Sequence, residues 1–333
     1  MSTAKTINLK NRPKGKPGLS DFNFTTSEVS ELKDGEVLLQ LTYVSVDPYL
    51  RGRMMDAESY IEPFELNKPI VSGCVAEVLE SKASDLSSGD FVTGMLQWKE
   101  QQVANADNLK KVNPDQAPLS AYLGILGMTG LTAYFGLTDI GKPEAGETLL
   151  VSGAAGAVGT VVGQIGKILG MRVVGIAGSD EKIEMITSDF GYDEGINYKT
   201  TENMKQAIAK ACPDGVDVYY DNVGGEISEA VLYNINKFSR TVVCGAISVY
   251  NKIELPKSTS VQPFLIKKSS SMQGFVIFDY KDRHPEGIRQ LADWLQNGKL
   301  HYEETIQEGF DNIPQAFLDL FEGKNKGKML VKV

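Results

Sequence analysis

Three glycines spaced three residues apart, Gly153, Gly156 and Gly159, are the residues whose type and spacing point most directly to chemistry. They follow a β-branched and aliphatic run at 148–153 and precede a helical pattern at 160–169, which Gly170 can end. A second apolar run at 172–178 completes strand, glycine turn, helix and strand, the size of one βαβ unit. Bare backbone N–H groups at a helix N-terminus suit a dinucleotide pyrophosphate. A Cβ at Gly156 would stand between backbone and phosphate, and Gly159 lets the helix sit against the first strand. The spacing departs from G-x-G-x-x-G, because Ala154 takes the first position; G-x-x-G-x-x-G describes it better. The alternative is a tight turn with no ligand, and the strand before and helix after weigh against it.

The choice of cofactor is read about 20 residues further on. Enzymes that use NAD place Asp or Glu at the end of the second strand, against the ribose 2′-OH. Here Gly178 and Ser179 hold that place, Asp180 and Glu181 come slightly late, and Lys182 follows. Small residues leave room for a 2′-phosphate and a lysine supplies the opposing charge, which favours NADP(H) over NAD(H). On spacing alone, Lys182 is as readily a solvated lysine in the first turn of a helix.

Ligands of an open parallel sheet bind at the carboxyl ends of its strands. Tyr198, Asn222, residues 244–248 and residues 275–278 fall at or just after predicted strand ends. Asn222, with Gly224 and Gly225, forms either a turn that touches ribose or nicotinamide or an Asx turn with no ligand. No G-x-S-x-G, H-E-x-x-H or C-x-x-C is present. The two histidines, His284 and His301, stand in no metal-ligand spacing with Cys74, Cys212 or Cys244, so no metal site is expected. Hydride chemistry remains, in which a cofactor supplies the reactive atom and the protein supplies position and polarity.

These residues need elements to hold them. The 333 residues suggest two domains. Strand candidates at 36–46, 69–79 and 90–95, separated by Gly, Pro, Ser and Asp, predict a small barrel-like β domain over 1–125. From 126 to 285, strands alternate with helices expected at 180–190, 202–211 and 227–235, which implies a parallel sheet. Its later strands are expected at 239–248 and 270–278. Residues 286–333, with helical patterns and a final strand at 329–333, are expected to complete the first domain. A net charge of −9 without a dense basic run argues against nucleic acid and anionic membrane as partners. No apolar run reaches the roughly 18 residues of a membrane span. The N-terminal stretch has no apolar core of a signal peptide. Three widely spaced cysteines suggest reduced thiols and a cytoplasmic location.

Together these features resemble the zinc-free medium-chain reductases. The nearest group is the prostaglandin reductase (leukotriene B 12-hydroxydehydrogenase) type, with the plant and bacterial alkenal and curcumin double-bond reductases. The likeness covers nearly the whole chain. It is carried by VDPYLRGRM (46–54), GMTGLTAYFGL (127–137), SGAAGAVGTVVGQIGK (152–167), AGSDEK (177–182), NYK (197–199), YDNVGG (220–225), CGAIS (244–248) and QGFVI (273–277). The resemblance implies an α/β chain, with a GroES-like β-barrel domain plus a Rossmann domain built on a doubly wound parallel sheet. It implies pyrophosphate on Gly156, Ala157, Val158 and Gly159, and a 2′-phosphate on Lys182 with Tyr198 nearby. It implies further cofactor contacts from Asn222 and from Cys244, Gly245, Ala246, Ile247, Ser248 and Tyr250. Phe275, Val276, Ile277 and Asn325 match the remaining ones. Tyr49 matches a tyrosine of the substrate pocket, the alternative being a core tyrosine with a satisfied hydroxyl. Plant members carry a tyrosine where Lys267 stands here. Homodimers joined through strands near Phe275 are implied as well.

The expected activity is NADPH-dependent, metal-free reduction of the carbon–carbon double bond of α,β-unsaturated ketones or aldehydes, by hydride transfer to the β-carbon. Tyr49 or a cofactor ribose hydroxyl would donate to the enolate oxygen. Two other readings stay open: an NADPH quinone reductase of the same superfamily, and a non-catalytic NADPH-binding sensor. The second is motivated by Lys267 and by the lack of an obligatory catalytic side chain.

Overall fold

The computed structural model describes residues 3–254 and 256–333. Their contacts divide them into two compact units. One comprises the chain up to Gly124, Glu304–Asn325 and Met329–Val333; the other comprises Ile125–Glu303 and Lys326–Lys328. The chain returns to the first unit at Glu304, later than the expected residue 286. The helix His284–Gln296 stays with the second unit because it packs closely there: a Cβ on its Gly287 would lie 2.6 Å from the Leu131 side chain.

The first unit is built around the long strand Glu36–Ser45. Its residues alternate, and Val37, Leu39 and Leu41 are buried. It pairs antiparallel with Val71–Ser81. It also pairs with Gln101–Asn105 along its first half and with the C-terminal strand Lys328–Lys332 along its last residues. Among the described residues this sheet has seven strands. In the core, Trp98 stacks on Phe22 and donates its Nε1–H to Ser72 Oγ at 2.8 Å. The hairpin Thr3–Leu9 with Phe22–Glu28 was not foreseeable from hydrophobic alternation. Two of its inward residues, Thr6 and Asn8, are polar, and they are satisfied across the pair by Ser27 Oγ at 2.9 Å and Thr25 Oγ1 at 2.8 Å.

In the second unit we number the strands β1 (Thr148–Ser152), β2 (Arg172–Ala177), β3 (Glu194–Asn197), β4 (Val216–Asp221), β5 (Ile235–Val243) and β6 (Ser271–Gly274). The helices from β1 to β5 are α1 (Gly159–Ile168), α2 (Asp180–Ser188), α3 (Met204–Ala211) and α4 (Gly225–Leu232), and the helix Gln262–Lys268 lies between β5 and β6. All the strand pairs are parallel, in the order 3-2-1-4-5-6. This is the doubly wound arrangement, and its topological switch lies between β1 and β4. Every residue of β1 is buried, its apolar centre Leu149–Val151 flanked by the buried polar Thr148 and Ser152. On α1, Val161, Val162 and Ile165 are buried against the sheet, each contributing about 1.5–3 kcal/mol of apolar burial.

Two expected strands end earlier than predicted. β5 stops at Val243, so residues 244–248 form a loop. The N–H groups of Cys244 and Gly245 turn to the Asp221 carbonyl, at 2.9 and 3.0 Å, instead of extending the ladder. β6 likewise stops at Gly274 rather than Phe278, and a 3-10 turn follows at Ile277–Arg283.

Candidate dinucleotide and substrate site

The turn from β1 to α1 brings the three glycines together. A Cβ on Gly159 would lie 2.4 Å from the Gly153 carbonyl oxygen and 2.7 Å from Ala154 Cα. Both are backbone atoms, so glycine is required for α1 to start where it does. The Gly159 carbonyl is fixed in turn by the Tyr192 hydroxyl, which donates to it at 2.6 Å. Gly156 is different: its Cβ would meet only the Gly153 oxygen, at 3.3 Å. Protein packing therefore does not demand glycine there, while a ligand close to the backbone would. The N–H groups of Val158 and Gly159 stand at the start of α1, where a helix has no acceptor of its own for them, and the Ala157 N–H lies in the bridge between Gly156 and Gly327. Unsatisfied N–H groups at the positive end of a helix fit a pyrophosphate.

The ends of β2 and β3 build a second corner. Ser179 caps α2, its Oγ accepting from the Lys182 N–H at 3.3 Å. The Asp180 carboxylate accepts from Asn197 Nδ2 at 2.7 Å, which ties the start of α2 to the end of β3. The Tyr198 N–H donates to the Ala177 carbonyl at 3.1 Å, and its ring lies over Gly178, where a Cβ would come within 3.0 Å of it. Lys182 is half-buried. Burial holds its ammonium below the usual lysine range, and the positive charges of Lys199 and Lys326 push the same way. Cations gathered against their own repulsion fit a dianionic 2′-phosphate.

At the switch point, the buried Asp221 organises the next turn. One of its oxygens accepts from Ser152 Oγ, the Tyr219 hydroxyl and the N–H groups of Val223 and Gly224, at 2.9–3.0 Å. Its other oxygen accepts from Ser228 Oγ. Asp221, not Asn222, therefore makes the Asx-type turn. Asn222 reaches across to β1, donating from Nδ2 to the Ser152 carbonyl at 2.8 Å. The loop after β5 closes on this turn. Ser248 Oγ donates to the Val223 carbonyl at 2.6 Å, and the Ala246 N–H donates to the Tyr250 hydroxyl at 3.1 Å. Burial pushes the Cys244 thiol up to about 12, so it is no nucleophile at neutral pH. Gly245 and Ile247 complete the loop through bonds to the backbone of Asp221 and Asn222. Beyond β6, Phe275 and Val276 are half-buried and Ile277 is buried. The Phe275 ring lies on Gly136, where a Cβ would be 2.7 Å from it.

Within the second unit, then, the turn at Gly156, Lys182, Tyr198, Asn222, the 244–250 loop and Phe275 all sit at the carboxyl ends of the parallel strands. Sequence reasoning passed over Asp221 and Tyr192. The signal for Asp221 was its place as the last residue of an apolar strand, where a carboxylate must be satisfied locally. Lys267 is exposed in the last turn of the helix Gln262–Lys268.

Tyr49 and Asn325 belong to the first unit. Tyr49 leads into the short helix Leu50–Arg53 and is half-buried against the apolar core there. Burial, then the Asp47 carboxylate, hold its phenol protonated far above neutrality, against the opposing pull of Arg53. Asp47 is held in place by Ser45 Oγ. Asn325 is half-buried after the helix Ile313–Leu320, next to Lys324, which pairs with Asp319 at 2.8 Å.

Comparison with known proteins places these features in a family. Residues 5–112 match the model of an N-terminal domain of oxidoreductase, and residues 157–297 match that of a zinc-binding dehydrogenase. A zinc ion does not fit this chain's donors: among the described residues no three His, Cys, Asp or Glu side chains converge to hold one. A putative NADP-dependent oxidoreductase, YfmJ, of Bacillus subtilis (strain 168) is 58% identical, over 100% of this chain and 98% of its own. An NADPH-dependent curcumin reductase of Escherichia coli (strain K12) is 43% identical, over 98% of this chain and 95% of its own. Among solved structures, CurA from Vibrio vulnificus in complex with NADPH is 40% identical, with a TM-score of 0.94 over 99% of both chains.

Proposed function

We infer function from family: the chain belongs to the zinc-free medium-chain dehydrogenases and reductases, and it is an NADPH-dependent reductase of the carbon–carbon double bond of α,β-unsaturated ketones and aldehydes. The observation that carries the cofactor reading is the corner of Lys182, Lys199 and Lys326 beside an unacidic β2 end, with the first N–H groups of α1 at the glycine turn. Bound there, NADPH supplies the hydride that the β-carbon of the substrate accepts. In this reading the N–H groups of Val158 and Gly159 hold the pyrophosphate. Lys182, with Tyr198, holds the 2′-phosphate, and Asn222, the 244–250 loop, Phe275–Ile277 and Asn325 position the rest. As negative charge gathers on the substrate oxygen, a neutral donor lowers the barrier. Tyr49, which matches a tyrosine of the family's substrate pocket, or a cofactor ribose hydroxyl would supply that donor, and burial keeps the Tyr49 phenol protonated. The test is consumption of NADPH and of NADH with a small enone. Turnover with NADPH alone supports the reading, whereas binding without turnover across a panel of enones would replace it by a sensor.

If Tyr49 is the donor, Tyr49→Phe is expected to lower kcat about 100- to 1000-fold, the range for losing one oxyanion donor. Because the phenol's pKa is raised, the wild-type rate carries no Tyr49 ionisation from about pH 6 to pH 9. A basic limb in that range that disappears in Tyr49→Phe would contradict the assignment.

The chain forms a homodimer through the open edge of β6, beside the exposed Ile266 and Phe278. An unpaired strand edge next to apolar surface is otherwise a liability. Sedimentation equilibrium is expected to give twice the chain mass, and a monomer at micromolar concentration would contradict it. No helix among the described residues is long and apolar enough to cross a membrane. The three free cysteines fit a reducing, cytoplasmic location.

A further inference from the structure

The tripeptide Lys326–Lys328 clusters with the dinucleotide unit, although the residues on both sides of it cluster with the first unit. It is tied down by its backbone. The Gly327 N–H donates to the Ala155 carbonyl at 2.9 Å, and Gly327 bridges to Gly156 of the pyrophosphate turn. The Lys328 N–H donates to the Glu303 carbonyl at 2.9 Å. Gly327 has a φ of +58°, and a Cβ there would lie 1.9 Å from the Glu303 oxygen, so this path needs glycine. The strap therefore fixes the start of the Lys326 side chain beside the first turn of α2. There the Lys326 ammonium pairs with Glu181, the neighbour of Lys182. Both partners are substantially exposed, so the pair is weakly held and can exchange. The charge of Lys326 is felt at Lys182, as is that of Lys199.

We propose that Lys326 is a specificity-determining residue for the cofactor, its ammonium passing from Glu181 to the 2′-phosphate, with Glu181 setting the cost of that exchange. This rests on the NADPH reading above. A cofactor that lacks the phosphate gives Lys326 nothing to exchange for and leaves it on Glu181. The carboxylate thereby tunes affinity for the phosphorylated form while leaving the other nearly untouched.

Calorimetric binding of 2′,5′-ADP and of 5′-AMP to the full chain tests this without turnover. Lys326→Met is expected to weaken 2′,5′-ADP about fivefold and leave 5′-AMP unchanged, an effect of the size of one exposed charge pair. Glu181→Gln is expected to tighten 2′,5′-ADP about two- to threefold, again without effect on 5′-AMP. Equal weakening of both nucleotides by Lys326→Met would overturn the proposal and leave the strap a purely structural role. No change in either nucleotide would overturn it as well. Wild-type protein that binds both nucleotides equally would overturn the NADPH reading, and the proposal with it. Preference for 2′,5′-ADP without enone turnover would remove the reductase and leave Lys326 standing.

Discussion

Gly159→Ala is expected to weaken NADPH binding roughly 10- to 100-fold and to lower thermal stability together. The new Cβ would sit 2.4 Å from the Gly153 oxygen, among backbone atoms that have no rotamer to change. Either α1 moves outward or the turn opens. Overpacking of this kind costs about 1–3 kcal/mol, and each 1.4 kcal/mol is about tenfold in affinity. A unit of this size loses about 2–4 °C in Tm per kcal/mol. Displacing α1 also carries the N–H groups of Val158 and Gly159 away from the ligand. Gly156→Ala is the informative contrast. Its Cβ has room in the protein, so Tm should stay close to that of wild type while NADPH binding falls by a similar factor. Calorimetry on the two variants, with a melting curve for each, separates packing from ligand contact. Full NADPH affinity in Gly156→Ala would mean that the pyrophosphate lies elsewhere.

Lys182→Ala is expected to raise the KM for NADPH about 30- to 100-fold and to leave that for NADH within a factor of two. A charge-assisted bond to phosphate is worth about 1.5–3 kcal/mol. The pH dependence follows from the direction of the shift. Burial and two neighbouring lysines lower the Lys182 pKa, so its charge is complete at low pH and is lost, as pH rises, sooner than in an ordinary lysine. NADPH affinity should accordingly fall on the alkaline side, and that limb should be absent in Lys182→Ala. Lys182→Ala with unchanged NADPH preference would move the 2′-phosphate to another set of residues.

The phosphate end of the site was legible because it depends on local sequence. Gly153, Gly156 and Gly159 lie within one turn, and Lys182 follows a strand end at a fixed distance. The doubly wound sheet was legible for a related reason: buried parallel strands such as β1 carry an apolar centre, here Leu149–Val151, between glycine and helix signals. What escaped depends on distant partners. The strap at Gly327 is special only because Glu303 and Ala155 meet it there. Asp221 is buried at no great cost only because Ser152, Tyr219 and Ser228 surround it. The end of β5 was misplaced because Cys244 and Gly245 read as strand while their N–H groups are drawn to Asp221. In the first unit, the strand holding Thr6 and Asn8 buries polar residues on one face and Ile7 and Leu9 on the other, so it lacks the alternation that marks a half-buried strand.

Which bond of the substrate is reduced decides the chemistry. The most direct measurement is identification, by NMR, of the product formed from a simple enone with NADPH and the wild-type protein. The expected product is the saturated ketone, with the new hydrogen from NADPH on the β-carbon and a solvent hydrogen on the α-carbon. An allylic alcohol with its double bond intact would contradict it.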